Sequence, residues 1–139
     1  MAGRTTIIKQ SGNRKIVIAD SVTAADDENH GDVLVCGSHC GANVGQIAVD
    51  GKIGAMIGND AGLGRNNAGI SGFDICDRHG IPVASVASMS AMIGSGVSTY
   101  KEGIVSAVNA KAAAFGVLKG MSAANAADLF LQMLEKEAV

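Results

Sequence analysis

The sequence predicts an α/β fold: a small, mostly parallel sheet made of repeated βα units, with helices on its faces and an N-terminal β-hairpin in front. Three observations predict it. Short apolar runs at 32–36, 53–57 and 81–86 each lead into a polar or glycine-rich loop. Each of the first two runs is followed by helical spacing of apolar residues before the next run begins. The runs are apolar throughout, as expected for strands covered on both faces. With 139 residues, the chain is expected to form a single α/β domain over 1–139. Its parts are a hairpin (1–20), a βα-repeat core (32–118) and an amphipathic C-terminal helix (122–137).

Residues 4–10 and 15–19 read as two strands around the turn Ser11-Gly12-Asn13, the second carrying the β-branched run Ile16-Val17-Ile18. Residues 21–31 are polar and read as a loop with at most one helical turn. The 32–36 run ends at Gly37. Val44, Ile47 and Ala48 give a helix over 41–49, and 53–57 is the second buried strand. A helix is predicted over 68–79, with Gly80 beyond its end and Pro82 enforcing extension before the third strand. Residues 100–116 read as the longest helix, from the stripe of Ile104, Val108 and Phe115 with alanines between. Ser122 caps a last helix over 123–137, whose Leu129, Phe130, Met133 and Leu134 share one face. Ala55-Met56-Ile57-Gly58 recurs as Ala91-Met92-Ile93-Gly94; four residues do not make a duplication.

Composition narrows the function classes. The net charge is −2, with no Trp, one Tyr and three Phe. That leaves neither the basic surface nor the stacking platform of a nucleic-acid module. No apolar run is long enough to span a membrane, and the N-terminus lacks the apolar core of a signal peptide. Three cysteines, Cys36, Cys40 and Cys76, are an odd number and too few for a secreted disulfide scaffold. A cytoplasmic protein is expected. Cys-x-x-x-Cys around His39 is a poor zinc pattern, so no metal is expected, and no cofactor motif is present. Gly58-x-x-x-Gly62-x-Gly64 lacks the Lys-Ser/Thr of a phosphate-binding P-loop.

Ligands of open parallel sheets bind outside the carboxyl ends of the strands. This chain concentrates its polar and flexible residues there. After the first core strand stand Gly37, Ser38, His39, Cys40 and Gly41. After the second stand Asn59, Asp60, Gly62, Gly64, Arg65 and Asn66. After the third stand Ser88, Ser90 and Ser95. The expected cleft gathers Ser38, His39, Asn59, Asp60 and Ser88, with Arg65 and Ser95 closing over it. As catalytic residues, Ser38 would be a nucleophile on a sharp turn, His39 would move a proton, and Asp60 would orient the ring. Arg65 and the loop amides of Gly37, Gly41, Gly62, Gly64 and Asn66 would hold negative charge. Ordinary structural uses stand beside these: Ser38 as a helix cap, His39 bonding a backbone carbonyl, the glycines and asparagines as turn formers. Cys40 could line the pocket or act as a nucleophile.

The expected function is hydrolysis of an amide or ester bond in a small polar or anionic metabolite. The alternatives are a non-catalytic anion-binding or structural oligomeric protein, or an isomerase or lyase using His39. A pocket holding His39 and Asp60 within hydrogen-bond reach favours catalysis; a pocket without a paired acid and base favours binding alone. A homo-oligomer is expected, because one sheet layer does not easily cover both the last helix and a 100–116 helix.

Overall fold

A computed structural model describes residues 5–137, apart from the side chains of Arg65 and Asn66. Six strands form one sheet in chain order: β1 (Thr6–Ser11), β2 (Arg14–Ala19), β3 (Val33–His39), β4 (Ala55–Asn59), β5 (Val83–Val86) and β6 (Val105–Val108). β1 and β2 make the expected antiparallel hairpin, β2 to β5 are parallel, and β6 returns antiparallel on the far edge. The fold is α/β with a mostly parallel sheet, as the periodicity predicts.

Alternation sorts each strand onto two cores. Ile16, Ile18, Val33, Val35, Ile57 and Val86 face one side; Val17, Leu34, Cys36, Met56 and Val83 face the other. The second side is covered by α1 (Ala42–Asp50) and α2 (Phe73–Arg78), which pack on each other, and by a 3-10 turn at Val22–Ala24. These are the connections between successive parallel strands. Placing them all on one face lets the strands step in order across the sheet with a common hand. The first side is covered by α3 (Gly96–Glu102), α4 (Ala110–Ala114) and α5 (Ala123–Glu137). Among the described residues, no helix is long and apolar enough to cross a membrane.

The 100–116 helix does not form. The chain leaves α3 at Gly103, where a Cβ would overlap the Thr99 carbonyl oxygen and the Val86 side chain. It then pairs Val105–Val108 with the open edge of β5. An unpaired strand edge next to a Val-rich segment outweighs the helix preference of nearby alanines, since pairing satisfies a row of backbone groups at once. Asn109, only 4% exposed, fixes the turn that follows. Its Oδ1 accepts from the amides of Val83 and Ala112, and its Nδ2 donates to the Ile81 carbonyl. The 68–79 helix is also shorter than expected: a 3-10 turn spans Arg65–Ile70, and α2 starts only at Phe73.

The last helix forms over the expected span, with the Ser122 hydroxyl accepting from the Asn125 amide. Phe130, Leu131 and Leu134 are buried against the chain's own sheet, with Leu129 and Met133 half-buried beside them. The expected reason for self-association, an uncovered face on this helix, is therefore removed. The four-residue echo is no structural repeat: its first copy lies in β4, its second in the loop between β5 and α3.

Candidate functional site

The parallel strands bring Asp20, His39, Asn59, Asp60 and Ser88 to one edge of the sheet, as topology requires. His39 pairs in register with Asn59, and Asn59 with Val86. Among the described residues, these positions are nevertheless engaged by the chain itself and do not line one open cleft. The loop 88–95 folds back over the strand ends as a roof. The Gly94 amide donates to the Gly37 carbonyl at 2.8 Å, and the Gly96 amide donates to Asp20 Oδ1 at 3.0 Å. Beneath the roof, Asn59 Oδ1 accepts from the Ala61 amide and Nδ2 reaches the Ala91 carbonyl. Gly37 is thus buried under backbone, not offered to a ligand.

Asp60 is 5% exposed and both its oxygens are engaged. Oδ1 accepts from the amides of Gly62 (2.7 Å) and Ser88 (3.1 Å), and Oδ2 accepts from the Ser106 hydroxyl (2.7 Å). The carboxylate clasps the loop after β4, the loop after β5, and β6. It does not hold the His39 ring. Sequence reasoning missed Ser106 because it lay inside the supposed helix.

Ser38 and His39 belong to β3, which runs through Gly37 with a register irregularity before His39. Ser38 therefore does not stand on a strand-to-helix turn, and α1 is capped by Gly41 instead. The Ser38 hydroxyl is half-buried and accepts from the Val22 amide at 3.0 Å. His39 is exposed, and its Nδ1 accepts from the Gly41 amide at 3.0 Å. A backbone amide only donates, so Nδ1 carries the lone pair and the neutral ring holds its proton on Nε2.

Beside His39 lies a cleft of about 240 Å³, lined by Ala61, Leu63, Gly64, Ala68 and Gly69. Its wall is an unusual piece of backbone. Four consecutive residues have left-handed φ: Ala61 (53°), Gly62 (73°), Leu63 (68°) and Gly64 (66°), with Asn67 at 58° close behind. Left-handed Ala and Leu cost on the order of 1–2 kcal/mol each. The strain is held by the Asn59 and Asp60 side chains, by the Leu63 amide on the Asp60 carbonyl, and by the Gly69 amide on the Leu63 carbonyl. Gly64 lines the cleft. The Gly62 and Gly41 amides are spent on Asp60 and His39. The side chain of Arg65, expected to bind negative charge, lies outside the described residues, as does that of Asn66.

No family model, curated protein or solved structure shows significant similarity to this chain.

The remaining candidates are accounted for by hydrogen bonds within the chain. The Ser88 amide serves Asp60, the Ser90 hydroxyl donates to the Ala87 carbonyl and accepts from the Ile104 amide, and the Ser95 hydroxyl caps α3 through the Ser98 amide. The three cysteines are free and buried. Burial, reinforced by the neighbouring Cys36 and Cys76, pushes the Cys40 thiol well up from its ordinary value. A fully enclosed thiol kept protonated is not a nucleophile. Among the described residues, no group of three or more His, Cys, Asp or Glu is placed to hold a metal ion. Among the described residues, what the His39 cleft offers is an imidazole beside a mostly apolar wall: a donor to a carbonyl or carboxylate oxygen, with room for a short hydrocarbon body.

Proposed function

We propose that the chain binds a small polar or anionic molecule, with a carboxylate or carbonyl oxygen on His39 Nε2–H, and does not transform it. The observation that carries this reading is the engagement of both Asp60 oxygens by three protein donors. Hydrolysis by Ser38 needs a base on its hydroxyl and a group orienting that base. The described contacts supply neither: the hydroxyl meets the Val22 amide, and Asp60 turns to other loops. Isomerase or lyase chemistry needs a free ring nitrogen to take a proton. Nδ1 is engaged by Gly41, and Nε2 is protonated in the neutral ring. The chain is proposed to work as a homo-oligomer in a reducing cytoplasm, the compartment that suits three unpaired thiols.

The test is a titration of the isotope-labelled full chain with acetate, butyrate and inorganic phosphate, followed at the amides of Leu63, Gly64 and Gly69. Saturable millimolar shifts with a carboxylate are expected, weakened about tenfold or more in His39→Ala. Absence of any saturable shift sinks the reading. So does turnover of a small ester or amide that is lost in both Ser38→Ala and His39→Ala, which would restore the hydrolase.

A further inference from the structure

Leu63 stands in the left-handed region, at φ 68°, where a bulky side chain is disfavoured and Gly or Asn is tolerated. The loop around it follows that preference at Gly62, Gly64 and Asn67, all with positive φ. Ala61, at 53°, and Leu63 depart from it. Both of these side chains line the His39 cleft.

Core packing does not account for the leucine. It is half-buried and belongs to neither of the two hydrophobic cores of the described residues. The backbone accounts for the conformation but not for the side chain. The Leu63 amide donates to the Asp60 carbonyl at 2.7 Å, and the Leu63 carbonyl accepts from the Gly69 amide at 2.8 Å. Glycine at 63 would make the same two bonds with less strain. Gly69 packs closely behind them: a Cβ there would overlap the Asp60 carbonyl oxygen and come within 3.3 Å of Leu63 Cα. Leu63 is thus presented to the cleft by a backbone fixed on both sides.

We infer that Leu63 is the specificity residue of this cleft, selecting carboxylates that carry a short apolar tail over bare anions. The inference rests on the proposed binding at His39 and adds the part of the ligand that the imidazole does not read. With a carboxylate oxygen on His39 Nε2–H, a tail in the cleft lies along Ala61 and Leu63. It gains affinity in proportion to the apolar area it buries there. Backbone strain at a position without a packing role is retained where the side chain serves a site. The cleft, about 240 Å³, is smaller than those that take drug-sized ligands, so the tail is about three carbons long.

Titration of the labelled full chain with acetate and butyrate, followed at the Gly64 and Gly69 amides, tests it in wild type, Leu63→Gly and Leu63→Asn. Both replacements accept the left-handed backbone. Butyrate should bind the wild type about fivefold tighter than acetate. In both variants that preference should fall to about twofold or less, with acetate affinity nearly unchanged. The urea midpoint of Leu63→Gly should equal or exceed that of the wild type. A preference for butyrate unchanged in both variants overturns the inference. So does a lower midpoint in Leu63→Gly, which would show the leucine kept for packing. A wild type that binds the two carboxylates equally overturns it and leaves the binding reading intact, whereas a wild type that binds neither overturns both.

Discussion

Gly37 lies directly beneath Ser95: a Cβ on Gly37 would overlap the Ser95 amide nitrogen. This one contact decides that the carboxyl edge of the sheet is roofed and not open. Gly37→Ala should therefore cost about 3 kcal/mol or displace the 88–95 loop. Urea denaturation measures the first effect and amide exchange of 88–96 the second. An unperturbed variant would mean that the roof does not sit on the strand.

Asp60 separates a structural clasp from a catalytic base. In Asp60→Asn the side-chain oxygen still accepts from Gly62 and Ser88, and the Ser106 hydroxyl turns to the Ser85 carbonyl, already 3.3 Å away. About 1 kcal/mol should be lost, the difference between charged and neutral acceptors. Asp60→Ala leaves the Gly62 and Ser88 amides and the Ser106 hydroxyl without this acceptor and should cost about 2–3 kcal/mol. Equal losses in the two variants by chemical denaturation would contradict the hydrogen-bond assignment.

Alkaline pH should weaken the fold. Burial pushes the Cys36 thiol from its ordinary value near 9 up to about 11, against the opposing hydrogen bonds of Ser38. Below pH 9 the folded and unfolded chains both keep this proton. Between 9 and 11 the unfolded chain releases it and the folded chain does not, so stability falls as pH rises. At about pH 10.5 the loss from Cys36 alone should reach roughly 2 kcal/mol. Cys76, likewise raised to about 11 by burial and then by Asp77, adds in the same direction. Denaturant midpoints across this range measure the slope, which Cys36→Ala should reduce. A flat profile would show the thiols reaching water.

The tautomer of His39 is directly observable. Long-range nitrogen–proton correlation, taken where the ring is neutral, should find the proton on Nε2, because the Gly41 amide occupies Nδ1. A proton on Nδ1 would remove the donor on which the binding proposal rests.

Phe115 and Phe130 meet edge to face, with centroids 6.4 Å apart and planes at 61°. Phe115→Ala should cost about 3–5 kcal/mol. A double-mutant cycle with both rings changed to Leu should leave a coupling of about 0.5–1.5 kcal/mol. No coupling would place the rings apart. The Phe115 ring was legible as core from sequence, although its setting was not: it follows the one-turn α4 and carries Lys111 Nζ 5.0 Å from its centroid.

The sequence by itself determined the hairpin, the succession of parallel strands and the last helix. Their signals are local: a turn between β-branched runs, apolar strands broken by glycine, and a capped stripe from Ser122 to Leu134. It also determined which residues reach the carboxyl edge, since sequential crossovers of one hand leave no other arrangement. Only the tertiary structure decided what happens at that edge. Whether 105–108 is helix or strand depends on β5 having an open side. Whether Asp60 serves His39 or ties three loops depends on where Ser88 and Ser106 arrive, 28 and 46 residues along the chain. Hydrogen-bond partners and backbone approaches at such separations leave no periodic trace in the chain. The residues that reach this edge could be named in advance, but their hydrogen-bond partners could not.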